Sequence, residues 1–463
     1  MTTVAGRPAA EPAEPIAARL ERLPHSRWHV KVRFLIGAVT FFEAFDQLMA
    51  ASALPVLTRE WHLTTGQATF AVTAGSLGML LGALAAGSLG DRIGRVRTVA
   101  LGVAVTALAS LAVALSGGIE TFALFRFVQG LGIGGVVPVA ATYINEIARS
   151  DRRGRFVLLY EMIFPAGLAA ASLLAVWVVP HLGWRAMFVI GALPALLAVV
   201  LPRQVAESPR WLATRGRTAE AERVLAQIEA EVARTTAAPL PDPAPAATAP
   251  ATAPADSSPG RLRELFQGRY LRRTVVVSGL WFAAYYVNYG IATWMPSLYT
   301  KTFGLDLTTA LVYTLLNNVT GLLGTLVIAL VIDRIGRRPA LATAFGGTAL
   351  ALGTLALTGA VFGGRVALFA SGATFFVFAI NAGLYLYSPE LYPTRNRAKG
   401  AAFGGLWNRA GVILGPVVVG AILGAGGSLT LVFTQLACLA AVGAVIALFA
   451  VETKGRTLEE LNS

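Results

Sequence analysis

The sequence predicts an all-α membrane protein of twelve transmembrane helices, arranged as two pseudo-symmetric six-helix bundles. Three observations predict it. The chain is 55% hydrophobic and only 14% charged, with a mean hydropathy of +0.64, too apolar for a protein whose whole surface meets water. It holds twelve stretches of the kind that a bilayer span requires, about 20 mostly apolar residues each. Its marks also repeat: DRIGR stands at Asp91–Arg95 and again at Asp333–Arg337, 242 positions later. Tyr143-Ile-Asn-Glu146 returns as Tyr387-Ser-Pro-Glu390, with Arg153 and Arg397 seven positions after the glutamates. Glu207-Ser-Pro-Arg210 is echoed by Glu452-Thr-Lys-Gly455. Marks in one order at nearly one offset signify a duplicated unit, and in an apolar chain a duplicated unit points to a transporter of two related halves.

The elements follow in order. Residues 1–33 are polar, rich in Ala, Pro and Arg, with no apolar core behind a short basic start; they are expected to be a cytoplasmic tail rather than a cleaved signal. Residues 34–201 form the first bundle, with spans beginning near Phe34, Ala68, Val99, Thr121, Phe156 and Trp184. Glycines recur inside them as Gly75, Gly78, Gly82, Gly87 and as Gly130, Gly132, Gly134, Gly135, a spacing that lets helices approach closely. Residues 202–270 form a polar cytoplasmic linker. Its part from Pro209 to Arg234 reads as one amphipathic helix around Leu212, Val224, Leu225 and Ile228, and Pro241 to Pro259 is Pro/Ala/Thr-rich, without a large apolar residue to bury. Residues 271–450 form the second bundle, with spans from near Thr274, Thr308, Ala340, Val366, Ala401 and Leu429, and 451–463 a cytoplasmic tail.

A net charge of +13 invites a nucleic-acid partner, but the charge alternates along the chain instead of gathering on one face. Basic loops carrying Arg92, Arg95, Arg97; Arg149, Arg152, Arg153, Arg155; Arg334, Arg337, Arg338; and Arg395, Arg397, Lys399 alternate with loops offering little beyond Arg59, Lys301 and Arg365. The positive-inside rule places both termini and the basic loops in the cytoplasm, in a plasma (inner) membrane. The single cysteine, Cys438, excludes an intrachain disulfide or a cysteine metal cluster. No GxxxxGK[ST] loop and no hydrolytic constellation occurs. No cofactor, metal or enzymatic activity is expected, and the chain is read as monomeric.

The motifs GSLGDRIGRVR (Gly87–Arg97), RFVQGLG (Arg126–Gly132), ESPRWL (Glu207–Leu212), IDRIGRR (Ile332–Arg338), PELYPTRNRAKG (Pro389–Gly400) and ETKGRTLEE (Glu452–Glu460) resemble the major facilitator superfamily, in its branch of sugar and organic-solute porters. The seventh span, SGLWFAAYYVNYGIATWMP, lacks the glutamine pair usual in hexose porters. FFEAFD at Phe41–Asp46 looks like the DGxD-type motif of aromatic-acid proton symporters, with Glu43 and Ala44 in place of Asp and Gly. WNRAG at Trp407–Gly411 is similar to that group's eleventh helix. The resemblance implies proton-coupled, alternating-access uptake of a small organic solute, an organic or aromatic acid first. A proton-coupled sugar symporter is the alternative; a drug efflux antiporter and a transporter-like sensor rank lower, the fifth span lacking the antiporters' Gly-Pro pattern.

Intramembrane ionisable residues are costly and mark pathways or partners. Asp46 falls about 20 Å into the first span at 1.5 Å per residue, with Glu43 one turn earlier; Asp46, Glu43 and Arg126 are the proton-coupling candidates, and the same residues also suit a structural ion pair. Arg409, deep in the eleventh span beside Asn408, matches a carboxylate through its planar fork, or else anchors helices. Trp281, Tyr285, Asn288 and Tyr289, with Asn381 and Tyr385, form stripes suited to a flat substrate or to bundle filling, and Asn317 is placed with them. The repeated charges Asp91, Arg95, Glu146, Arg153 and Glu207, with Asp333, Arg337, Glu390, Arg397 and Glu452, read as a cytoplasmic gate. Glu161 reads as the partner of a cytoplasmic arginine.

Overall fold

The computed structural model describes residues 16–24, 26–147, 162–236, 262–392 and 396–455. Among them twelve helices are long and apolar enough to cross a bilayer, and no strand occurs. The first half holds α1 (Arg27–Glu60), α2 (Thr65–Ile93), α3 (Arg95–Ala114), α4 (Ile119–Ile147), α5 (Ile163–Leu182) and α6 (Trp184–Gln204). The second holds α7 (Gly268–Lys301), α8 (Leu307–Ile335), α9 (Arg337–Thr358), α10 (Gly363–Glu390), α11 (Arg397–Gly424) and α12 (Leu429–Leu448). Arg149, Arg152, Arg153, Arg155, Glu161 and Arg395, with the Pro/Ala-rich linker, lie outside the described residues, as does the side chain of Arg397.

The duplication extends to the packing. α2 pairs with α4, α1 with α5, and α3 with α4 and α6; α8 with α10, α7 with α11, and α9 with α10 and α12 repeat the scheme. α1 and α7 have 34 residues each, α2 and α8 have 29, and Pro55 and Pro296 stand at the same place in α1 and α7. Gly94 at φ +106° and Gly336 at φ +96° turn the chain between α2 and α3 and between α8 and α9, a backbone that other residues adopt only with strain. Glycine also sets the α2–α4 distance. A Cβ on Gly78 would lie 2.1 Å from the Phe127 carbonyl, on Gly82 2.2 Å from that of Leu131, and on Gly134 1.9 Å from that of Met79, so the two backbones touch.

The halves meet away from the DRIGR turns. Leu54 and Ala68 join a core with Val287, Trp294 and Val419, and Phe45 and Leu48 join one with Leu311 and Phe378. A Cβ on Gly420 would lie 2.3 Å from Thr69 Oγ1. At the basic end each core stays within one half: Val32, Val99 and Tyr143 in the first, Val277, Ile332 and Tyr387 in the second. Among the described residues, the buried cores that span both halves therefore lie away from the basic end.

Two expectations need correction. The amphipathic linker helix is not continuous: it breaks at Gly216, φ +71°, into Pro209–Thr214 and Thr218–Thr236. α1 starts at Arg27, seven residues before Phe34, because Trp28 and Val32 pack with Leu20 and Leu23 of the preceding segment and with Leu225, Ile228 and Val232 of the linker helix. A short helix, Ile16–Glu21, is pinned there: Arg19 and Arg22 reach the Glu229 carboxylate at 2.5 and 2.9 Å.

Candidate functional site

Asp46, near the middle of α1, is buried to 1% exposure. Arg126 of α4 donates to it at 3.0 Å and to Gln129 Oε1 at 2.7 Å, while the Gln129 amide donates to the other Asp46 oxygen. The three side chains form a closed ring. Gly75 of α2 makes room for it, since a Cβ there would sit 3.0 Å from an Arg126 Nη. Sequence reasoning brought Asp46 and Arg126 together but missed Gln129, which stands one helical turn after Arg126 inside the RFVQGLG motif. A charge pair this buried needs its remaining hydrogen-bonding capacity met, and Gln129 meets part of it.

The second cluster centres on Tyr289 of α7. Its hydroxyl donates to Gln47 Oε1 of α1, and the charges of Arg409 on α11 and Glu43 on α1 both act on it, as does the Tyr385 hydroxyl of α10. Along α7 an aromatic ladder leads to it: Trp281 lies 5.4 Å from Tyr285, and Tyr285 is stacked 6.1 Å from Tyr289. Arg409, Tyr285, Tyr289, Tyr385 and Gln47 are half-buried, whereas Asn288, Asn317, Asn381 and Asn408 are buried. Arg409 makes no ion pair or hydrogen bond among the described residues. Trp281 gives its indole N–H to Ser388 at 2.8 Å, Asn317 accepts from Ser371 at 2.7 Å, and the Asn381 and Asn408 carbonyls have no partner among the described residues. Asn318 donates across the halves to Ser172 at 2.8 Å.

At the basic end the repeated charges build two matching networks. Arg95 contacts Asp91 at 2.7 Å and Glu146 at 3.4 Å; Arg337 contacts Asp333 at 2.8 Å and grips Glu390 through two nitrogens at 2.9 and 3.1 Å. Glu207 accepts from the first backbone N–H groups of α3, Arg95 at 2.9 Å and Val96 at 3.2 Å. Glu452 does the same for α9, at Arg337 and Arg338, 2.9 and 3.0 Å. Each acid thus caps a helix whose positive dipole end points at it. Tyr143 bonds the Ala206 carbonyl and Tyr387 that of Val451. Each of these contacts lies within one half. Burial pushes the Glu207 carboxyl up, against the backbone bonds from Ser208, Val96 and Arg95. For Glu452 burial is outweighed by the N–H groups of Lys454, Arg337, Arg338 and Thr453, and the carboxyl is held below its ordinary value.

The family described as Sugar (and other) transporter matches residues 33–463. The chain is 33% identical over 447 residues to the niacin transporter NiaP of Acinetobacter baylyi, 96% of this chain and 99% of that one. It is 28% identical over 438 residues to the gallate transporter of Pseudomonas putida, 93% of each. Among solved structures it is similar to the xylose transporter XylE from E. coli in an inward open conformation, with a TM-score of 0.70 and 18% identity over 94% of this chain and 99% of that one; XylE is described as a proton:xylose symporter of the major facilitator superfamily, and the likeness is one of fold.

Proposed function

We infer the function from one premise: the chain belongs to the Sugar (and other) transporter family and is a multi-pass membrane transporter of the major facilitator superfamily. We propose that it imports an aromatic or heteroaromatic monocarboxylate together with protons, by alternating access. Arg409 carries the reading. It is a guanidinium held between two bundles, without an acid partner among the described residues, beside the Tyr289 hydroxyl and at the end of an aromatic ladder. A carboxylate matches its fork, and ring faces suit a flat ligand. Niacin and gallate, named for two relatives, are aromatic carboxylic acids.

Asp46 supplies the coupling. Ionised, it ties α1 to α4 through Arg126 and Gln129; protonated, it keeps one neutral acceptor and loses the charge attraction, and α1 is freer to move. The guanidinium stays charged throughout. The basic end faces the cytoplasm of the inner membrane, and one copy of the chain suffices. Sugar is the second reading, favoured by the buried amides Asn288, Asn381 and Asn408, which suit a hydroxyl-rich ligand.

The test is uptake of nicotinate, 4-hydroxybenzoate and xylose into proteoliposomes under an imposed proton gradient. Accumulation of an acid but not xylose is expected. Asp46→Asn, which resembles the protonated acid, should abolish accumulation and keep exchange of internal for external ligand. Xylose accumulation with no acid taken up would overturn the carboxylate, and gradient-driven accumulation by Asp46→Asn would move the proton site.

A further inference from the structure

The hydrogen bond from Tyr289 to Gln47 crosses between the halves, and a phenol has a single proton to donate. Gln47 directly follows Asp46. One step of about 100° around the helix turns the two side chains toward different neighbours: Asp46 to Arg126 and Gln129 inside its own half, Gln47 to α7 of the other. Arg409, whose charge acts on the Tyr289 hydroxyl, would bring an anionic ligand to that same donor. The ligand and Gln47 then compete for one proton.

We propose that Gln47 is a positioning residue for coupling: in the empty carrier its carbonyl holds the one donor of Tyr289 and ties α1 to α7, and an arriving carboxylate takes that donor and releases the helix bearing the proton site. The competition rests on the carboxylate reading above; the tie itself does not. Removing the Gln47 carbonyl should therefore loosen the closed contact between halves and at the same time free Tyr289, so that ligand binds more tightly while coupling worsens. A side chain that served packing alone would weaken both. The charged and titratable groups around the bond are Arg409 on α11, Glu43 on α1 and Tyr385 on α10, and those on Asp46 are Arg126 and, as a neutral partner, Gln129 on α4.

The tie is tested without ligand. In a Cys438→Ser background, spin labels on cysteines replacing Glu120 and Ala425, exposed residues of opposite halves at the end away from the DRIGR turns, report the distance across that end. Gln47→Leu and Tyr289→Phe should each shift the distribution to longer distances; a wild-type distribution in both overturns the tie. Competition is tested by nicotinate titration. Gln47→Leu should bind about fivefold tighter, the loss of one hydrogen-bond competitor, should lose this gain in a Tyr289→Phe background, and should flatten the pH dependence of accumulation. Equal or weaker binding by Gln47→Leu overturns the competition. Failure of wild type to bind either nicotinate or 4-hydroxybenzoate sinks the carboxylate reading and the competition together, while the label distances still decide the tie. If Asp46→Asn keeps pH-dependent accumulation, the proton reading fails and the tie stands or falls on its own measurement.

Discussion

The two halves share a backbone plan and differ in what they bury. Pro55 and Pro296 align α1 with α7, Tyr143 and Tyr387 align α4 with α10, and Gly167 and Gly411, each against a carbonyl of the neighbouring helix at Phe41 and Phe282, align α5 with α11. In that register the Asp46, Arg126 and Gln129 ring of the first half corresponds to Val287, Ala370 and Ala373, all buried in apolar core. The pair Asn408 and Arg409 corresponds to Phe164 and Pro165. Each half keeps a polar group that the other has replaced with hydrocarbon. A duplicated scaffold can thus carry two separate tasks, with the acid in one bundle and, in the other, a cation that has no ion pair among the described residues.

The largest expected effect tests whether the charge ring is dispensable for packing. Arg126→Ala leaves the Asp46 carboxylate buried without its cation, which should cost about 3–5 kcal/mol and lower the denaturation midpoint of the purified protein. Asp46→Val and Gln129→Ala combined with Arg126→Ala reproduce the apolar arrangement of the second half and should recover most of that loss while leaving accumulation at zero. If the triple variant stays as unstable as the single one, the two halves do not share a core that tolerates either solution.

The second effect addresses the cation. Arg409→Ala should weaken an aromatic carboxylate by about 2–3 kcal/mol, near a hundredfold. Arg409→Lys should recover only part of this, because a point charge does not reproduce the fork. The corresponding amide or alcohol should change several-fold at most. Calorimetric titration of nicotinate against nicotinamide measures the difference, and equal losses for both would return the site to a neutral ligand.

Much of this was legible in the sequence. The repeat, the twelve spans and the pairing of Asp46 with Arg126 follow from marks and hydropathy, because burial in a bilayer constrains every residue of a span. What escaped depends on contacts between distant segments. The early start of α1 at Arg27 was hidden because RWHVKVRF reads as polar, and Trp28 and Val32 acquire their core only from the linker helix. Gln129 stood inside a quoted motif, yet an uncharged residue gives no signal of a partner on another helix. Glu207 and Glu452 were read as gate acids; that each caps a helix more than a hundred residues away in sequence is a property of the turn at Gly94 or Gly336. Trp281 was read as a substrate contact, and its N–H is already given to Ser388.

The third effect compares the two basic-end networks. Asp91 and Asp333 have side chains 56% and 72% exposed, and exposed pairs contribute about 0–1 kcal/mol each, so neutralising either should shift the open and closed populations only slightly. The caps matter more. Glu452→Gln should cost about 1–2 kcal/mol, since four backbone donors, at Arg337, Arg338, Thr453 and Lys454, bond that carboxylate. Glu207→Gln should cost less, because burial already disfavours its charged form. Comparable losses in thermal unfolding would erase the distinction.

The smallest effect is the pH response of these caps, and its sign differs between halves. Glu452 is held below the ordinary glutamate value of 4.5, so its contribution is complete above 4.5 and disappears as pH falls through the lowered value. Glu207 is held above 4.5; its contribution is complete below 4.5 and is lost as pH rises through the raised value. Acidification from neutrality toward 4.5 should therefore tighten the start of α3 and leave the start of α9 unchanged, and further acidification should loosen α9 alone. Hydrogen exchange at the amides of Val96 and Arg338, corrected for intrinsic rates, follows both ends in one sample. Parallel pH profiles at the two amides would mean that the capping acids titrate alike and that the difference between the networks lies only in the geometry around Arg95 and Arg337.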